Sequence, residues 1–326
     1  MSRHLVYYIV GILILLLMPL FTQNEFFYSV FMQIGMFAIM AISMRFMLLT
    51  GEPAVGPTGF VAIGAYTSAI LTTKVGMSFW LALPAAGLLS MVVGILFGIP
   101  ALRIKGTYFA IVHLTFVDLV RQIVIHMKGL TGGMVGLYGV PPPTIVIPGL
   151  LDFVFRSLIP YYYLLIALLL FTVVVLYRLE VSSVGLSFRS IGWNDRLAES
   201  VGTNIMRNKV LCFAIVCLMQ GLVGSFWAHY LHYLSPDHFN VMASVYVTIY
   251  MVVGGIGSIL GPLLGSFVLV ILPELFRAFA QSAMLLYGIF MILVMLFLPG
   301  GIYSGLQEIL RRTARFSWGA DKAAEG

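Results

Sequence analysis

Charge is what this chain has least of. Only 9% of its 326 residues are Asp, Glu, Lys or Arg, against roughly 25% in soluble globular domains. So little charge cannot cover a water-facing surface of this size. Cysteine is scarcer still. Cys212 and Cys217 lie five apart in one apolar run, on different faces of a helix, which suggests neither a disulfide nor a CxxC metal site. GxxxxGK followed by Ser or Thr is missing, so the chain has no loop to cradle ATP phosphates by itself. HExxH and GxSxG are absent too, and no span carries paired catalytic carboxylates. An intramembrane hydrolase is a poor reading, and no motif asks for a cofactor or a metal. The net charge of +6 is informative through its placement and is not a nucleic-acid signal.

What the chain has is apolar length. Hydrophobic residues make up 61% of it and the mean hydropathy is +1.04, so its solvent is the bilayer. A span needs about 20 mostly apolar residues. Ten stretches qualify: 5–21, 29–49, 54–73, 79–101, 107–127, 160–178, 209–231, 240–256, 259–277 and 281–298. Arg3 and His4 before the first resemble a signal peptide. The stretch lacks a small-x-small cleavage pattern and ends Met18-Pro19-Leu20-Phe21, so it reads as a retained span. The third is the weakest, because Gly51, Pro53, Gly56, Pro57, Gly59 and Gly64 crowd it. A broken or re-entrant helix of this kind is tolerated only beside protein or a water-filled path. Thr58 and Tyr66 on it are therefore assigned to the path.

Lys and Arg set the orientation. With the N-terminus inside, thirteen of the 18 basic residues fall on the inner side and five, Lys74, Arg121, Lys128, Arg156 and Arg277, on the outer. Positive charge accumulates in the cytoplasm, so both termini are expected there. The number of spans is then even; ten is the count, and eight would also satisfy it. This predicts an all-α polytopic membrane protein with a single transmembrane domain, 1–310, and a cytoplasmic tail, 311–326. Residues 128–159 face outward and 179–208 face the cytoplasm.

The cytoplasmic connection holds the one sizeable polar island, GLSFRSIGWNDRLAESVGTNIMRNK, from Gly185 to Lys209. Asn194 suits a helix N-cap, Asp195 its first turn and Gly202 its stop. Two turns are too short to be stable alone in water, so the helix must pack on something. Leu197, Val201 and Ile205 offer an apolar edge, with Arg196, Glu199 and Arg207 around it. The segment is either an ordinary solvated loop or a helix that docks in a soluble partner.

Four stretches, taken together, carry a resemblance. They are IGAYTSAIL (63–71), LRIKGTYFAIVHLTF (102–116) with LTGG (130–133), the island itself, and GLVGSFWAHYLHYLSPDHF (221–239) running into VVGGIGSILGPLLGS (252–266). In this order, over roughly residues 30–300, they resemble LivM-type permeases of branched-chain amino-acid ABC importers. The resemblance implies a multi-pass subunit of a bacterial or archaeal cytoplasmic membrane that works by alternating access. Its implied partners are cytoplasmic ABC ATPase subunits, a second, LivH-like permease, and a periplasmic or lipid-anchored solute-binding protein. It also implies that Gly185, Arg189, Asn194, Asp195, Ala198, Glu199 and Gly202 couple to the ATPase. The chain departs from the pattern at Gly192-Trp193, where relatives usually carry charge, and at Ala54 and Pro57, where they often carry Ser and His or Gln. Urea, short amides and aromatic acids use similar permeases, so the solute stays open.

Other residues invite a role. Asp118 and Arg121, three apart in the fifth span, share a helix face and can neutralise each other. They either line the path or a gate, or form a structural pair. Thr131-Gly132-Gly133 can present backbone amides to a carboxylate, or is simply a turn. His229, His232, Asp237 and His238 have metal-compatible spacing, but interleaved Tyr230 and Tyr233 favour an interfacial aromatic cluster. Gly257, Gly261 and Gly265 form a small-residue row for close helix packing. Pro141 to Pro143 mark an extended segment. A self-contained ion-coupled transporter or a channel is the competing class; it needs unpaired buried acids and an internal repeat, and no convincing repeat is visible.

Overall fold

A computed structural model describes residues 25–147, 151–276, 283–298 and 300–308. Helices α1 (Glu25–Leu48), α2 (Pro57–Thr73), α3 (Phe79–Ala101) and α4 (Thr107–His126) follow predicted spans two to five within a few residues. The outer connection then holds a one-turn helix α5 (Lys128–Thr131) and short strands β1 (Leu137–Tyr138), β2 (Thr144–Ile147) and β3 (Leu151–Val154). Helix α6 (Leu158–Val181) is the next span. The polar island forms α7 (Ser183–Trp193) and α8 (Asp195–Ser200) and runs into α9 (Ile205–Leu231). Strand β4 (Tyr233–Leu234) and a 3-10 turn (Pro236–Phe239) lead to α10 (Val241–Gly254), α11 (Leu260–Leu275) and α12 (Ala283–Phe297). The predicted first span, 5–21, and the tail, 311–326, lie outside the described residues.

The chain is an all-α polytopic membrane protein. Helices α1, α3, α4, α6 and α9 are each long and apolar enough to cross a bilayer. Shorter helices of 14 to 17 residues, α2, α10, α11 and α12, occupy four other predicted spans. The strands are local trim on the outer connection: β1 pairs with β4, and β2 with β3, both antiparallel.

Long-range contacts sort the connections into two ends. At one end Arg45 reaches the Ile256 carbonyl, Lys105 meets Asp195, and Gly51 lies beside Gly192. At the other, Lys74 donates to the Gly129 carbonyl, Arg121 pairs with Asp237, and Trp80 donates to the Thr144 carbonyl. The predicted inner connections thus gather at one end and the outer ones at the other.

Helix α9 is the hub, packed against α1, α2 and α3. Its contact with α2 is glycine on glycine: a methyl group on Gly64 would strike the Gly221 carbonyl, and one on Gly224 the Val61 carbonyl. Methionines Met32, Met36, Met40 and Met44, spaced by one turn on α1, are all within 2% of complete burial and fill the core beside it. The small-residue row is half right. Gly261 and Gly265 seat α11 on the backbone of α10 around Gly254, whereas Gly257 lies before α11 with open space around it. The turn after Gly255 sets Gly257 apart from the row, and Gly254 supplies the contact on α10.

The third span, expected as a broken or re-entrant helix, is shortened at its start and runs unbroken through Gly59 and Gly64. Residues 50–56 are non-helical and Pro57 opens α2, where its missing N–H is no loss. The orphan N–H of Gly56 is answered by Nδ1 of fully buried His113 on α4, at 3.4 Å.

Candidate functional site

Three consecutive helix caps shape the polar island. Ser182 accepts from the Gly185 amide; Asn194 Oδ1 accepts from the Arg196 and Leu197 amides at 3.0 and 3.3 Å; Asn204 Oδ1 accepts from the Arg207 amide at 3.0 Å. Each starts a helix and satisfies amides that would otherwise be orphaned. Gly202, at φ +85, turns the chain out of α8, in the left-handed region that glycine enters without penalty. Gly185 is buried against the Leu179 and Glu180 carbonyls, where no side chain fits.

Only Ala198 of α8 is buried. Trp193 is 91% exposed, Leu197 66% and Val201 79%. Arg196 and Glu199 are exposed beside them. The apolar edge is therefore real but shorter than expected: Ile205 does not extend it, because α8 ends at Ser200 and Ile205 begins α9.

Beneath this exposed rim lie two ion networks. In the first, Arg45 (4% exposed) grips Glu180 (8%) with both terminal nitrogens at 2.5 and 2.9 Å, and its Nε donates to the Ile256 carbonyl at 3.0 Å. Arg189 of α7 reaches the same carboxylate at 2.6 Å. In the second, buried Lys209 and Glu52 (3% and 4% exposed) pair at 2.7 Å. Lys209 also lies 3.5 Å from Asp195 of α8, which pairs with Lys105. The Gly106 amide donates to Glu52 at 2.9 Å. Partial burial alone would raise the Asp195 carboxyl, but Lys105 and Lys209 together hold it below the usual range. Lys105 is held above its own usual value by the hydrogen bond to Asp195.

Arg45, Glu52, Glu180 and Lys209 were not singled out from the sequence. Their signal was present: charges of both signs at span ends predicted for one side. Arg45 counts there only among the thirteen inner basic residues and Lys209 among them and as the end of the island, yet both are buried and paired.

The residues assigned to the path separate. Thr58 is fully buried; its hydroxyl meets Ser244 Oγ at 2.5 Å and the Asn240 carbonyl at 3.1 Å, tying α2 to α10. Tyr66 is buried edge-on to Phe239, and its hydroxyl has no hydrogen-bond partner among the described residues. Asp118 and Arg121 do not pair. Arg121 reaches Asp237 at 2.6 Å instead, while Asp118 is exposed in mid-helix with no ion-pair partner among the described residues. Rotation of α4 turns Arg121 towards the outer loop and leaves Asp118 facing away from the bundle. At Thr131-Gly132-Gly133 the amides are already used: Gly132 donates to the Lys128 carbonyl, and Gly133 to Thr131 Oγ1 at 3.2 Å. The amide-presenting reading is corrected to a turn that closes α5.

Two histidines of the outer cluster are held by backbone carbonyls. His229 Nδ1 must donate to the Pro141 carbonyl, 2.8 Å away, so its Nε2 accepts from Ser68 at 2.9 Å. His232 likewise donates to the Val140 carbonyl at 3.0 Å. These bonds pin the proline segment 141–143 to α9. Among the described residues no three His, Cys, Asp or Glu side chains group to hold a metal.

Comparison with known proteins follows the same lines. Residues 26–299 match the family model described as the branched-chain amino acid transport system permease component. The chain is 32% identical over 272 residues to the high-affinity branched-chain amino acid transport system permease protein LivM of Escherichia coli K12, and equally so to that of Salmonella typhimurium, covering 78% of this chain in each case. The match spans 64% of the length of each of those relatives. A probable LivM of Methanocaldococcus jannaschii is 24% identical over 239 residues, which is 68% of this chain and 67% of that relative. No solved structure matches the chain. On this footing the chain belongs to the family of branched-chain amino acid transport permeases, as a LivM-type member.

Proposed function

We propose that this protein is the permease subunit of an ATP-driven importer in the cytoplasmic membrane of a bacterium or archaeon. It takes up branched-chain amino acids or a closely related small polar solute, delivered by a binding protein, and forms its path with a second, LivH-like permease. A cytoplasmic ATPase docks on α7 and α8. One observation carries this reading: Trp193 at the end of α7, Leu197 on the N-capped α8 and Val201 just after it stand open to water. Exposed apolar groups clustered on a polar rim mark an interaction surface. ATP hydrolysis belongs to the partner. Cysteine at position 197 should cross-link to an ATP-hydrolysing subunit in native membranes, because Cys212 and Cys217 are buried and do not compete. Uptake that continues after ATP is removed, with no cross-link at 197 or 193, would point to an ion-coupled transporter instead.

The path itself runs along the exposed face of α4. Tyr108, Ile111, Thr115, Asp118 and Gln122 share that face at helical spacing, all exposed. A carboxylate at mid-span costs about 2.5–3.5 kcal/mol against lipid, so Asp118 faces a water-lined route closed by the sister permease. It is placed to attract the ammonium group of a passing amino acid. Asp118→Asn is expected to lower leucine uptake roughly tenfold with expression unchanged, as befits one lost charged hydrogen bond of about 1.5–3 kcal/mol. Unchanged uptake with a more stable protein would mean the face meets lipid.

A further inference from the structure

The second ion network has a geometry that the docking surface alone does not require. Lys209 sits at the base of α9, the hub of the bundle, and is almost wholly buried. It is shared between two carboxylates with opposite attachments. Glu52 lies on the non-helical lead-in to α2 and also receives the Gly106 amide at the start of α4. Asp195 is the first residue of α8. Beyond the ion pairs of Asp195 and the small side chain of Ala198, α8 has little hold on the bundle. On either side of Asp195 the surface opens into clefts of about 500 and 620 Å³, both lined by Lys105, Asp195 and Lys209. The helix therefore has room to move and one charged tether.

We propose that Lys209 is the joint through which displacement of α8 reaches the membrane bundle, with Asp195 its outer arm and Glu52 its inner arm. When α8 moves, Asp195 draws on Lys209 and on Lys105. Lys105 sits in the α3–α4 turn, directly before Gly106. Both arms converge on the same place, the interrupted segment 50–56 and the start of α4. Thr50 and Gly51 bond back to α1 at the Met47 and Leu48 carbonyls, but residues 52–55 belong to no helix, so this stretch is the part of the bundle that yields at least cost. All three ionic residues are positioning residues; none is assigned contact with solute or nucleotide.

This inference rests on the docking reading and can fail separately from it. The complex is purified from membranes with its ATPase, and hydrogen exchange of the peptide spanning 49–57 is followed with and without a non-hydrolysable ATP analogue. In the wild type the analogue should change that exchange by roughly tenfold, the scale of a local opening equilibrium. In Glu52→Gln, which lies off the docking helices, the ATPase should remain bound while the response disappears, and Glu52→Asp should restore it. The same response in Glu52→Gln as in wild type would overturn the joint. Loss of the ATPase from that variant would also overturn it, by making Glu52 a support of the docking surface instead of an arm of the joint. If no ATPase accompanies the wild type, the docking reading falls and the joint with it.

Discussion

Replacing Arg45 with methionine is expected to remove roughly 3–5 kcal/mol of stability, the usual penalty for leaving one half of a buried ion pair alone. Three donors vanish at once: the two on Glu180 and the one on the Ile256 carbonyl. Arg189 remains on Glu180, but it is half exposed and contacts one oxygen. It cannot follow the carboxylate inwards. Arg45 of α1 thereby ties Glu180 of α6 to the turn after α10 at Ile256. The expected result is little monodisperse protein after detergent extraction and a thermal midpoint far below wild type. Removing the stranded charge as well, in Arg45→Met with Glu180→Leu, should recover much of the loss, since apolar groups of similar size often replace a buried pair without penalty. A single variant as stable as wild type would show that water reaches Glu180 and that the pair is not buried in the membrane-embedded protein.

That network also marks the limit of what can be read from one sequence. Helix positions were legible because each span is an apolar run long enough for a bilayer, and the ends of α8 were legible because Asn194 and Gly202 act locally. Charge partners were not. Arg121 has Asp118 three residues away, yet it pairs with Asp237, 116 residues on. Arg45 and Glu180 are separated by 135 positions, and Glu52 and Lys209 by 157. Spacing along a helix says which residues share a face; it does not say which way the face turns. In a chain with so few charges, that rotation decides whether a basic residue is a free topology signal or a buried partner. The same gap explains Gly257, which keeps the four-residue interval of a helix but lies outside one.

The second large effect concerns the crossing of α2 and α9. Two tendencies oppose each other at Gly64. In a helix alanine is favoured over glycine by about 1 kcal/mol, so Gly64→Ala would stabilise an isolated α2. Here a methyl group would collide with the Gly221 carbonyl and its α-carbon, and that is backbone, which cannot rotate away as a side chain can. The helices must separate. Gly221 is itself pressed against Ser90 and the Ala86 carbonyl on α3, so α9 cannot retreat without disturbing a third helix. Overpacking a dense core costs about 1–3 kcal/mol, and the steric term should win. Gly64→Ala is therefore expected to lower the thermal midpoint of the purified protein, and Gly64→Val to abolish its recovery. Gly288 on α12 is the control, because nothing among the described residues lies within 4 Å of a methyl group placed there; Gly288→Ala should be neutral or slightly stabilising. Equal midpoints for Gly64→Ala and Gly288→Ala would mean that α2 and α9 are free to part. They would then belong to the moving surfaces of the transporter, and its rigid hub would have to lie elsewhere.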